Sequence, residues 1–133
     1  TVYINLPTRP DRRESIEREL ATAGLMHEAM KLDARTGDQV ATSLVTEIWD
    51  STINAQYDRK TLPHKQLVMS KGERGCAGSH LVLWSKIASF DDTERPWLVL
   101  EDDAVLSEGF RLRCDAIIDA VERSFHPANR NVL

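Results

Sequence analysis

Two cysteines, Cys76 and Cys114, are too few for a disulfide framework, so this is not a small stapled scaffold and its thiols fit a reducing compartment. No apolar run approaches the ~20 residues of a membrane span. The opening TVYINLPTRP has no cationic stretch leading into an apolar one, so no secretion signal is read there. Basic residues are not in excess. With a formal net charge of -4, the chain lacks the basic balance that displaces counterions from a phosphate backbone, and no nucleic-acid partner is expected. Internal repeats and low-complexity tracts are absent as well. What is there is an ordinary soluble composition, 29% charged and 41% hydrophobic, in 133 residues, which fits one domain over 1–133 with a real core.

Hydrophobic spacing divides the chain into elements. VYINL (Val2 to Leu6) alternates and predicts a strand that Pro7 and Pro10 end. From Asp11 a helix follows, with Ile16, Leu20 and Ala23 on one stripe and Gly24 as its stop. AMKLDA (Ala29 to Ala34) predicts a short second strand, and Thr36-Gly37-Asp38 a turn. Val40, Leu44, Ile48 and Trp49 have helical spacing over 40–53, whereas 54–70 mixes charge, Pro63 and His64 without a period. GERGCAGSHLVLWSKIASF opens on glycines and continues as a helix striped by Leu81, Trp84, Ile87 and Ala88, with Trp84 expected in the core. A loop over Asp91 to Pro96 leads to Trp97-Leu98-Val99-Leu100. That run has no polar alternation and predicts a strand buried on both faces, in the middle of a parallel sheet. A last helix covers Arg111 to Phe125, with Ile118, Val121 and Phe125 on one side, and the final NVL begins another strand. Strand, helix, strand, helices, strand, helix in that order predicts an α/β domain with a Rossmann-like parallel core. Ligands of such sheets collect at the carboxyl ends of the strands, where Asn5 and Arg9 follow the first strand and Glu101, Asp102 and Asp103 follow the apolar one.

Three consecutive carboxylates at a strand end repel one another and resist desolvation. A hard divalent cation such as Mn²⁺ or Mg²⁺, which takes oxygen ligands and leaves other positions to phosphate and water, explains them economically. The competing explanation is that Asp102 or Asp103 caps a following turn while the others face water.

VYINLPTRPDRR, GERGCAGSHLVLWSKI and WLVLEDDAVL, in that order, resemble the three signature blocks of glycosyltransferase family 25, which includes bacterial lipooligosaccharide galactosyltransferases and collagen galactosyltransferases. The resemblance implies a Rossmann-like nucleotide-diphospho-sugar transferase fold of the A type. It implies a metal-dependent, inverting hexosyltransferase that takes a UDP-sugar, most often UDP-galactose, to a glycan or lipooligosaccharide acceptor with Mn²⁺ or Mg²⁺ as cofactor. Glu101-x-Asp103 has the spacing of the family's acidic motif, so both are implied as metal ligands, Asp103 the more direct. Asp102 is implied to hydrogen-bond the ribose or donor sugar. Asn5, Arg9 and Arg13 are implied to lie beside the nucleotide, through an amide for a base or ribose edge and guanidinium forks for phosphate. The alternative for the arginines is a solvated helix face paired with Glu14 and Glu17. It is favoured for Arg12, while Arg9, in the loop, is read as functional.

By the same resemblance Ser79 and His80 would hydrogen-bond donor hydroxyls or phosphate, at a glycine-lined helix start whose N–H groups favour anions. Against that, the glycines could serve close packing of the helix on the sheet, with His80 structural. Zinc at Cys76 and His80 is disfavoured, because no further pair has ligand spacing. In the A-type fold the general base and a further metal ligand come from the part after the acidic motif, and only 30 residues follow Asp103 here. The expectation is therefore a C-terminally truncated chain carrying the donor side, and no catalytic residue is nominated. Two other classes stay open: a UDP-sugar-binding relic without turnover, and another metal-assisted phosphate enzyme. A receiver-like enzyme is disfavoured by the basic PTRPDRR after the first strand. A bacterial member is expected in the cytoplasm, at the inner face of the inner membrane and in peripheral contact with it.

Overall fold

A computed structural model describes residues 1–41, 69–90 and 96–125, with Phe125 described in its backbone alone. The chain divides into two compact units, one of Thr1–Leu32 with Asp92–Leu133 and the other of Asp33–Asp91.

In the first unit β1 (Val2–Asn5) is buried at all four residues. It pairs in parallel with β3 (Val99–Glu101), with Val2 opposite Val99, Tyr3 opposite Leu100 and Ile4 opposite Glu101. β2 (Met30–Asp33) lies on the other side of β1, giving the order β2-β1-β3. The described sheet therefore corrects one expectation. Its central strand is β1, and the apolar run ending at Leu100 forms an outer strand with half-buried residues. Apolar composition reports burial but not position in a sheet. Tyr3 and Asn5 are buried within β1, and both polar groups find hydrogen-bond partners.

Helix α1 (Pro10–Thr22) starts with proline at a first-turn position, where a missing N–H costs nothing. It ends in a Schellman arrangement: Gly24 at φ +71° lets its N–H donate to Ala21 O at 3.0 Å and the Leu25 N–H donate to Leu20 O at 2.8 Å. Ile16 and Leu20 are fully buried and pack with Tyr3 and Leu25, flanked by Leu98, Leu100, Leu106 and Phe110. Truncating either side chain to alanine costs about 2–5 kcal/mol at such a site. A 3-10 turn (Met26–Glu28) leads into β2. Helix α3 (Phe110–Phe125) lies largely in solvent, with Leu112 76% exposed. Of its expected stripe, Ile118 is half-buried but Val121 is exposed.

In the second unit a 3-10 turn (Gly37–Gln39) replaces the simple turn read at 36–38, and Val40 is extended, so no helix starts there. Helix α2 (Lys71–Ala88) opens with a capping box: Ser70 Oγ accepts from the Glu73 N–H at 3.2 Å, and Glu73 Oε2 accepts from the Ser70 N–H at 2.6 Å. Its buried residues are Gly75, Gly78, Ser79 and Leu83, a face of small side chains. Trp84, expected in the core, is 57% exposed, because the buried stripe runs on the 75–79–83 line and not through 81, 84 and 88. The rest of the helix read over 40–53, the loop at 91–95 and the final NVL lie outside the described residues.

Candidate functional site

Because β1 and β3 are parallel neighbours, their carboxyl ends open on the same edge of the sheet. The chain leaves β1 for β2 on one side and later returns to β3 on the other, so this edge is the topological switch where α/β sheets bind ligands. Asn5 ends β1 and is buried, and its Nδ2 donates to Asp102 Oδ2 at 2.8 Å and to Arg9 O at 3.1 Å. Asp102 follows β3 and is 8% exposed. Its other oxygen, Oδ1, accepts from Arg12 Nη1 at 3.0 Å, and the same nitrogen reaches Asp103 Oδ2 at 3.3 Å.

The three carboxylates are thus separated by function within three residues. Asp102 points inward, and both its oxygens serve to tie the loop after β3 to β1 and α1. Glu101 and Asp103 are exposed. Asp102 neither caps a helix nor faces water, so the bland explanation of the cluster fails for it. Asp102 also already has an Asn5 and an Arg12 bond, which makes it a positioning group first. Glu101 and Asp103 carry oxygen donors of the kind a hard divalent cation takes, and among the described residues Asp103 Oδ1 has no protein partner.

The expected arginines lie differently. Arg9 closes its fork on Asp11, with Nε and Nη2 donating at 2.9 and 2.6 Å, and that bond holds the Asp11 carboxyl down at about 2. Arg13 Nε donates to Glu17 Oε1 at 2.8 Å along the helix, the solvated-face pairing weighed for these residues. The same carboxylate oxygen accepts from Tyr3 OH at 2.5 Å. Burial, followed by that bond, pushes the Tyr3 hydroxyl up to about 12, and Glu17 is lowered chiefly by Tyr3 and then by Arg13. Arg12, read as a surface residue paired with Glu14 and Glu17, is instead the arginine on the acidic loop, which corrects that reading.

Residues 1–129 match the family model for glycosyltransferase family 25 (LPS biosynthesis protein). The chain belongs to glycosyltransferase family 25. The resemblance carried by the three sequence blocks is thereby borne out. Among curated relatives, a glycosyltransferase 25 family member of Aedes aegypti is 30% identical over 120 residues, covering 90% of this chain and 18% of its own length. An inactive glycosyltransferase 25 family member 3 of Homo sapiens is 30% identical over 120 residues, with 90% and 19% covered. Procollagen galactosyltransferase 1-B of Xenopus laevis is 30% identical over 119 residues, with 90% and 18% covered. The chain spans about a fifth of the length of these relatives.

The second of the family 25 blocks falls on α2. Ser79 is buried, donates from Oγ to Gly75 O at 2.7 Å and accepts from the Arg35 N–H at 2.8 Å, so its hydroxyl is committed to the fold and not to a ligand. A Cβ on Gly75 would lie 2.6 Å from Arg35 O, and one on Gly78 2.4 Å from Val40 Cγ2. Gly75 and Gly78 therefore serve close packing against the 35–40 segment, which favours the packing alternative weighed for this block. His80 is half-buried, its ring 5.9 Å from that of Trp84.

The site residue that sequence reading missed is Arg12. A signal for it existed: Arg12, Ile16 and Leu20 sit at i, i+4 and i+8, so the stripe that buries α1 carries Arg12 at its upper end, over the strand ends.

Proposed function

We propose that this family 25 chain is the donor-binding part of a metal-dependent glycosyltransferase of the A-type fold, moving a hexose, galactose foremost, from a UDP-sugar to a glycan hydroxyl. The observation that carries this reading is the meeting of Asn5, Arg12, Asp102 and Asp103 at the switch edge between β1 and β3. The parallel α/β arrangement supports the A-type assignment, and a galactosyltransferase among the relatives supports the hexose. Lipooligosaccharide synthesis at the cytoplasmic face of a membrane is the setting proposed with it, and no described helix is long and apolar enough to cross one.

In the transfer, an acceptor oxygen forms a bond to the anomeric carbon as the bond from that carbon to the UDP oxygen breaks, and the acceptor proton passes to a base. A divalent cation, when bound, supplies countercharge to the departing diphosphate. Glu101 and Asp103 are the residues that would hold it. Asn5 and Asp102 fix the loop so that these carboxylates stay at the sheet edge, and Arg12 balances part of their charge.

Titration of UDP with and without Mn²⁺ into the chain and into Asp103→Asn tests the proposal. Mn²⁺-dependent UDP binding that the variant loses is the expected result; equal binding in the variant removes Asp103 from the metal site. The human relative named inactive favours a second reading, donor binding without turnover. It predicts UDP binding with no release of UDP from UDP-galactose in the presence of acceptor glycans.

A further inference from the structure

We propose that Arg12 grips the diphosphate of the nucleotide ligand with the free edge of its guanidinium, a role that the sequence blocks suggested for Arg9 and Arg13. The inference deepens the donor-site reading and rests on it. Arg12 is anchored through one nitrogen, Nη1, which bonds Asp102 Oδ1 at 3.0 Å and Asp103 Oδ2 at 3.3 Å. Its other edge, Nε with Nη2, has no partner among the described residues, and the side chain is 41% exposed. That edge carries two parallel N–H groups and is the one Arg9 closes on Asp11 in this same molecule. Two oxygens of a phosphate match it as a carboxylate does.

The competing arginines are engaged. The Arg9 fork is filled by Asp11, and Arg13 holds Glu17. Arg12 combines three properties: a fixed position, an open bidentate edge, and a place over the carboxyl ends of two parallel strands. Its anchor is itself held, since Asp102 is buried against Asn5. A guanidinium restrained in this way loses less conformational freedom on binding than a loose surface arginine.

The test compares UDP and inorganic pyrophosphate binding, by calorimetry in Mn²⁺ buffer, for the intact chain, Arg12→Lys, Arg12→Ala and the charge control Arg18→Ala. Arg18 donates to the Glu14 carbonyl on exposed helix surface and touches none of the site residues. Arg12→Ala is expected to weaken both ligands roughly tenfold or more, and Arg12→Lys to restore only part of it, because lysine keeps the ion pair with the loop but has no second prong. Arg18→Ala is expected to leave both unchanged. Full binding in Arg12→Lys would mean that Arg12 merely holds the loop, and would overturn the inference. If Arg12→Ala fails to fold, by its thermal transition, the lysine variant alone decides. Normal UDP binding in both Arg12 variants overturns the inference and leaves the donor site standing. Pyrophosphate binding without UDP binding, lost in Arg12→Ala, overturns the nucleotide reading and the inference that rests on it, and leaves only an anion site at Arg12. Binding of neither ligand to the intact chain overturns both.

Discussion

At the ends of β1 and β3, polar side chains meet across most of the chain, Asn5 reaching Asp102 over a separation of 97 residues, and Arg12 reaching it over 90. At the start of α2 the two serine hydroxyls close locally, Ser79 on Gly75 and Ser70 in a reciprocal pair with Glu73, with Arg35 the one distant contact of the Ser79 hydroxyl. Both regions look ready for a ligand when read as sequence. The first keeps capacity to spare, an exposed Asp103 oxygen and an open guanidinium edge, whereas the second uses its hydroxyl and its small side chains to bring helix and turn together. A polar residue is a candidate for binding only after its internal obligations have been counted.

The sharpest way to break this comparison is at Gly75. Alanine there sets a Cβ 2.6 Å from a backbone carbonyl that cannot step aside, and a loss of about 3 kcal/mol is expected in urea unfolding. Gly72 is its control: a Cβ there meets nothing nearer than Ser70 Oγ at 3.9 Å, so alanine is neutral or stabilises by up to ~1 kcal/mol through helix propensity. Equal effects at the two positions would sink the packing account of the block.

Next comes the division within the acidic loop. Asp102→Ala removes a buried acceptor from Asn5 and Arg12 and is expected to cost about 2 kcal/mol, whereas exposed Asp103→Ala should stay within about 0.5 kcal/mol in the same measurement. Similar losses for both would mean that the loop does not divide its carboxylates as described.

A pH titration sharpens the contrast from the core side. The Tyr3 hydroxyl is raised from 10.0 to about 12, so the protonated form is favoured by folding. Its contribution is complete below pH 10 and is lost as pH rises from 10 through about 12. Glu17 is lowered, so its contribution is present above the ordinary carboxylate range and fades as pH falls. Tyr3→Phe should flatten the alkaline limb of stability against pH and cost about 1 kcal/mol at neutrality. An unchanged alkaline limb would exclude Tyr3 as its source. The smallest effect is expected from Arg13→Ala, about 0.3–0.5 kcal/mol for an exposed i,i+4 pair, read from the thermal midpoint.

Much of the described fold was legible because periodicity reports local facts. The stripe of Ile16 and Leu20, the stop at Gly24, the short strand at 30–33 and the helix beginning near 110 all followed from spacing and turn chemistry. Sheet order was not legible, since an apolar run such as Trp97 to Leu100 looks the same at a sheet's middle and at its side. Trp84 was misplaced because a helix face made of Gly75, Gly78 and Ser79 carries almost no hydrophobic signal, so the larger residues drew the stripe away from it. The acidic loop was visible as chemistry, but the roles inside it were not. Which carboxylate turns inward depends on Asn5 and Arg12, residues whose proximity only the parallel pairing of β1 with β3 creates.

That pairing also sets an order of birth. Synthesis at about 5–20 residues per second places Asn5 roughly 5–20 s ahead of Asp102 at the ribosome. Through that interval β1, whose four residues end up buried, waits without its β3 neighbour. The nascent chain therefore carries an unfinished sheet edge until almost all of its described length has been made, and no ligand of the strand-end site can shield it sooner.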